Sequence, residues 1–204
     1  MADIRRRKSG ISERRSDARA VRTRSLALGA FRDLVLEQPF DEVSFGAVAK
    51  RAKVGRSTLY EHFAGKSALL ASSIAGPFAC LAGALDEKPR VADLARMLEH
   101  FWENRALARR IFCADSKRRV EAVLTQLVQE KLQARGFKGR AALLLPTKLA
   151  AASLAQLLLA PIVLWLEGES AMQPQDLAYA LMRAAQSALH ALRTSPTTHA
   201  REYS

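Results

Sequence analysis

Arg56, Ser57, Thr58 and Tyr60 are the residues of this chain best suited to chemistry, and the chemistry is recognition rather than catalysis. An arginine guanidinium fits guanine O6 and N7, or a phosphate. Serine and threonine hydroxyls can reach base edges or the sugar–phosphate backbone. Lys66 follows shortly after, at the start of a further helix. Free backbone N–H groups beside an ammonium make a ready phosphate site. A cation in the first turn of a helix opposes the helix dipole, so an anionic ligand would give Lys66 a reason to be there. Blander readings exist for each residue. Arg56 could be a solvated surface side chain, Tyr60 a core aromatic with its hydroxyl outward, and His62 a residue that caps or packs beside Phe63.

Catalytic constellations are missing by comparison. The histidines, His62, His100, His190 and His199, are scattered, and no Ser/His/acid or Cys/His arrangement has a supporting motif. There is no glycine-rich phosphate loop. Cys80 and Cys113 are the only cysteines and lack metal-ligand spacing, so two ordinary thiols in a reduced cytoplasmic compartment are expected. We expect no enzyme activity, no cofactor and no metal.

The elements that hold the donors follow from periodicity. Phe45, Val48 and Ala49 share one helical face, and Ser44 can cap that helix by accepting a first-turn N–H. Ala52-Lys53-Val54-Gly55 breaks the pattern. A second helix begins at Arg56, with Leu59 and Phe63 inward and the polar residues at its outer, N-terminal end. A major groove accepts such a helix. Before these, Asp17 to Gln38 is helical, with Ala27, Ala30, Phe31 and Leu34 on one face. Pro39 stops it, because the residue before proline avoids the α region. This helix would brace the next two and bring Arg22 and Arg24 near a DNA backbone. Phe40 and Val43 would close the small core.

Charge supports a polyanionic partner. The net charge is +12. Residues 1–70 hold 15 Lys+Arg against 8 Asp+Glu, net +7, and residues 71–204 hold 17 against 12, net +5, so the excess clusters near the donors. Residues 1–16 lack an apolar stretch of the secretory type and read as a flexible basic arm able to track phosphates.

The remainder reads as all helix. Lys66 to about Leu85 carries Leu69, Leu70, Ile74 and Phe78, with a kink or break expected at Gly76-Pro77. Val91 to Phe112 follows, broken at Asn104, and then Ser116 to Gly136, ended by its glycine. Pro146 to Glu167 is the most apolar segment and long enough to cross a membrane. Pro161, Ser153, Gln156 and the lack of a second such segment favour a buried or interface helix, with no membrane partner. The last helix, Gln173 to Arg193, starts on Pro174 and presents Leu177, Leu181, Ala184, Ala185, Ala188 and Leu192 as its apolar stripe. His100, Phe101, Trp102, Phe112 and Cys113 could line a cavity for an apolar or aromatic small molecule, although plain core suits most of them individually.

Phe40-Asp41-Glu42-Val43-Ser44, Val48-Ala49 and the run from Gly55-Arg56-Ser57-Thr58-Leu59-Tyr60-Glu61-His62-Phe63 to Lys66-Ser67-Ala68-Leu69-Leu70 together resemble the DNA-binding domain of the TetR family of transcriptional regulators. The likeness covers about residues 17–70. It implies an all-α fold: a three-helix DNA-binding domain with a helix-turn-helix, followed by a larger helical domain for effector binding and dimerisation. It implies a homodimer, joined here through residues 146–193, that binds a palindromic double-stranded operator and releases it when a small-molecule effector binds. Carried over by position, Arg56, Ser57 and Thr58 would approach base edges, and Tyr60, His62 and Lys66 would contact phosphates. Ala49 would be the small residue where two helices cross. Lys53 departs from the family, which often has glycine there, and Gly55 stands where a serine or threonine often caps.

The expected organisation is a basic arm over 1–16, the DNA-binding domain over 17–65, the effector and dimer domain over 66–195, and a loose tail over 196–204. A helical small-molecule carrier or enzyme with a basic surface is the alternative function, and a membrane-anchored sensor a third.

Overall fold

The computed structural model describes residues 2–112, 116–137 and 143–193, and the backbone alone for 2–16. Cys113 therefore lies outside the described residues, as does the tail from Thr194. Among the described residues the chain is helical throughout: α1 (Ala2–Glu37), α2 (Phe45–Ala52), α3 (Arg56–His62), α4 (Lys66–Ala82), α5 (Val91–Glu103), α6 (Arg105–Phe112), α7 (Lys117–Ala134), α8 (Thr147–Glu167) and α9 (Pro174–Leu192), with 3-10 turns at Phe40–Glu42 and Gly83–Leu85. An isolated antiparallel bridge between Leu143 and Arg193 is the one strand-like feature among them. The chain divides into two compact units, Met1–Ser73 and Ile74–Ser204, a division that falls within α4 rather than before Lys66.

In the first unit, Phe31, Leu34, Phe40, Val43, Val48, Ala49, Leu59, Phe63, Leu69 and Leu70 are buried together. Burying each large apolar side chain stabilises by roughly 1.5–3 kcal/mol. Phe31 meets Phe40 edge to face at 6.1 Å. Pro39 ends α1, as its fixed φ and missing N–H require. The helix starts earlier than expected. Its backbone is helical from Ala2, where the sequence suggested a flexible arm up to residue 16. Arginine, a good helix former, is the commonest residue from Ala2 to Ser16.

In the second unit, Val120, Leu124, Val128 and Leu132 form the buried face of α7, which packs against α8, while α5 packs against α9. Two glycines close helices at positive φ, Gly136 at 85° and Gly168 at 95°, where a Cβ would be strained. The break at Asn104 is present: its N–H and its side-chain amide both donate to the His100 carbonyl. Of the kink or break expected at Gly76-Pro77, no break is present: the helix runs on to Ala82 with Pro77 inside it. A proline ring clashes mainly with the carbonyl four residues back and with the Cβ of the residue before it. Glycine at 76 removes the second clash. The buried stripe of α9 is Leu177, Ala178, Leu181, Ala185 and Leu189. Ala184 is exposed and Ala188 and Leu192 only half-buried, so the expected stripe was rotated by part of a turn.

α8 has a mean hydropathy of 2.1 and is long and apolar enough to cross a membrane. Lys66–Leu85, at 1.8, is too, so a second such segment exists where the sequence reading found none. In α8, Leu154, Leu158, Ile162 and Trp165 are buried against neighbouring helices of the same unit.

Candidate nucleic-acid interface

α2 is set by its two ends. The Ser44 hydroxyl accepts the Ala47 N–H at 3.0 Å, as expected of an N-cap. At the other end Lys53 stands in the left-handed region, φ 55° and ψ 40°. The Val54 N–H reaches back to the Ala49 carbonyl at 3.0 Å and the Lys53 N–H to Lys50 at 3.2 Å. That is a Schellman closure with lysine in the seat glycine usually takes. The chain then re-enters a helix at Gly55, whose φ of −62° and ψ of 145° make it an N-cap without a side-chain hydrogen bond. Seven residues later α3 ends at His62.

α3 is anchored from beneath and open above. Leu59 and Phe63 are fully or nearly fully buried. Arg56 and Ser57 are exposed and Thr58 half-buried. Tyr60 is 61% exposed, and its ring leans on Phe45 of α2 with centroids 4.6 Å apart and planes tilted by 50°. The stack fixes the ring while leaving the hydroxyl outward, so the core-aromatic reading of Tyr60 does not apply. Sequence periodicity placed Phe45 on the inner face of α2. Its role as the platform for Tyr60 needed the distance between two helices and was not visible there.

Two of the expected contacts are differently placed. Lys66 turns inward. Its ammonium donates to the carbonyls of Phe40 and Asp41, both at 2.9 Å, lies 3.9 Å from an Asp41 carboxylate oxygen and sits 4.6 Å above the Phe40 ring. Its position in the first turn of α4 is thus explained by an internal clamp. Arg24 also turns inward: Nη1 donates to the His62 carbonyl at 3.1 Å and the guanidinium lies 4.7 Å over the Phe63 ring. Arg24 closes the free C-terminal end of α3, where a cation is favoured. His62 is half-buried, and its carbonyl accepts the hydrogen bond from the Arg24 guanidinium. A bidentate pair joins Arg51 to Glu37 at 2.8 and 2.7 Å, tying α2 to α1. The hydrogen bond from Arg51, more than its charge, holds the Glu37 carboxyl below its usual range.

In the second unit, aromatic residues considered for an effector pack on one another and on their neighbours. Phe112 stacks on Phe78 at 5.8 Å and meets Phe101 at 5.1 Å. Trp102 lies against the buried Trp165 at 4.7 Å, and the Trp165 indole donates to the Met172 carbonyl. Phe101 and Phe112 are therefore core. His100 is exposed, its Nδ1 3.2 Å from the Asn104 amide. Burial raises the Cys80 thiol above its ordinary pKa, which lowers its thiolate fraction. Among the described residues no group of three His, Cys, Asp or Glu could hold a metal.

Comparison with known proteins follows this geometry closely. Residues 28–72 match the model of "Bacterial regulatory proteins, tetR family". No curated protein matches the chain. Among solved structures, a TetR-family regulator from Streptomyces coelicolor is 17% identical with a TM-score of 0.58, covering 83% of this chain and 96% of that one. This likeness shows the fold. NalD, the secondary repressor of the MexAB-OprM multidrug efflux pump in Pseudomonas aeruginosa, is 22% identical, TM-score 0.49, over 83% and 97% of the two chains. A TetR transcriptional regulator from Rhodococcus sp. RHA1 is 21% identical, TM-score 0.49, over 87% and 99%.

Proposed function

We propose that this chain, whose residues 28–72 match the model of bacterial regulatory proteins of the tetR family, is a homodimeric repressor that leaves its operator when a small molecule binds. The observation that carries the reading is α3: Arg56, Ser57 and Tyr60 stand exposed on a helix whose other face, at Leu59, is buried. Arg56, Ser57 and Thr58 read base edges. Tyr60, braced by Phe45, and His62 hold phosphates. Lys66 acts indirectly, by fixing the turn at Phe40 and Asp41 from which α2 departs.

The dimer forms through residues 146–193. On α8, Leu149 and Leu164 are exposed, and on α9 Tyr179 is exposed, beside small residues Ala160, Ala180 and Ala184. Small residues let helices of two copies approach closely, and the large ones fill the seam. The effector is an apolar or aromatic small molecule held by the second unit, and it favours a state with lower operator affinity. A cytoplasmic location follows from the DNA target.

The test is direct binding to duplexes enriched by this protein from a randomised library. Arg56→Ala and Tyr60→Ala should each weaken binding about 5- to 100-fold, on the order of 1–3 kcal/mol, with unchanged thermal unfolding. Unchanged affinity in both variants would remove the regulator reading.

A further inference from the structure

Gly46 is where the structure has a feature that neither helix formation nor packing accounts for. It lies in the first turn of α2, with no unusual backbone angle. Glycine weakens a helix by its backbone freedom, so nothing in the backbone calls for it there. The space its missing side chain leaves is filled by Arg56. A Cβ added at residue 46 would stand 2.9 Å from Arg56 Nη2, 3.2 Å from Cζ and 3.4 Å from Nε. The other glycines described have no neighbour this close to that position.

The guanidinium therefore occupies the space a side chain at Gly46 would take. Among the described residues it has no hydrogen-bond or ion-pair partner there, and it rests near the positive end of the α2 dipole with Lys50 on the same concave face. A charged side chain so placed is held by dispersion contacts alone, and it can leave at little cost. Resting on α2, it cannot also extend from α3 to a base edge.

We infer that Gly46 is a positioning residue for Arg56: it provides a stowed seat on α2, and binding a duplex requires Arg56 to swing out of it. The inference rests on the DNA-binding reading above. Its quantitative form is a competent fraction. If Arg56 is outward in only a tenth to a third of free molecules, the observed affinity is reduced by that fraction. A methyl group at residue 46 closes the seat, and the atom it displaces is the far end of a flexible side chain.

The experiment measures binding of four full-length proteins, wild type, Gly46→Ala, Arg56→Ala and the double variant, to the duplex of about 30 base pairs that wild type enriches from a random library. Gly46→Ala is expected to bind about 3- to 10-fold tighter than wild type, and to make no difference when Arg56 is already alanine. Equal tightening in both backgrounds would assign the effect to helix stability and overturn the inference, as would unchanged or weaker binding of Gly46→Ala. An independent readout uses the free protein. Proton cross-relaxation between the Arg56 Cδ and Gly46 Cα groups is expected in wild type and lost on adding duplex, and its absence from the free protein would also overturn the seat. Should wild type enrich no duplex, the regulator reading itself fails, a result distinct from either of these.

Discussion

Lys53 and Lys66 are two lysines whose neighbours decide their meaning. Lys53 occupies the left-handed seat between α2 and α3 at φ 55°. A side chain with a Cβ costs about 1 kcal/mol there relative to glycine. Lys53→Gly should therefore raise the unfolding free energy by about 1 kcal/mol, read from urea titration. Lower stability would mean that the lysine side chain makes a contact worth more than the strain. Lys66 tests the opposite case. Its side chain is 24% exposed and its ammonium is spent on two carbonyls. Lys66→Met keeps an apolar stem and removes those bonds together with the ammonium over the Phe40 ring, which should cost about 1.5–3 kcal/mol. A phosphate-binding lysine would behave differently: the variant would melt as wild type does and lose only DNA affinity. The sequence made Lys66 look like a phosphate ligand because a cation at a helix start has no local partner. The carbonyls that hold it lie 25 and 26 residues away, and only the folded turn brings them in.

At the level of elements, local signals were legible and distant ones were not. Ser44 as a cap, the stop at Pro39, the turn before Gly55 and the inward pair Leu59 and Phe63 all rest on contacts within a few residues, and all stand where periodicity put them. Pro77 suggests a kink or break because proline disrupts an isolated helix, whereas in the folded chain α4 continues through it with Ile74 and Phe78 buried on either side. The α1–α2 tie through Glu37 and Arg51 spans 14 residues and had no sequence signal. It makes a pH prediction. The folded pKa of Glu37 is lowered, so the pair stabilises above the ordinary carboxylate pKa and its contribution is lost as pH falls through the folded value. Arg51 stays charged throughout. The melting temperature of wild type should exceed that of Glu37→Gln at about pH 6, and the gap should close on acidification toward about pH 3. Both partners are exposed, so the gap is small and screened by salt. A gap independent of pH would show that the pair contributes nothing through its charge.

For the whole molecule, the dimer is the proposition on which operator recognition depends. One short α3 reads too few base pairs to be selective, while two copies about 34–36 Å apart read both halves of a palindrome. α8 and α9 carry the surface proposed to join them. Leu164 is 52% exposed and Tyr179 56%, each on a helix whose opposite face is buried. A stable interface removes about 1,200–2,000 Å² of surface from water, within reach of two helices from each copy. Arginine at both positions, Leu164→Arg with Tyr179→Arg, would set like charges against each other across the two-fold axis. In a closed symmetric dimer each charge meets a copy of the same surface. Sedimentation should give twice the chain mass of 22.4 kDa for wild type and a single chain for the double variant. The separated protomers should retain their helix content by circular dichroism, since neither side chain is in the core. Their affinity for the selected duplex should fall by at least about 100-fold, because each half-site then binds without the effective concentration its partner supplied. Dimeric sedimentation of the double variant would move the interface off this face, and a monomeric wild type that still binds the duplex tightly would remove the need for it.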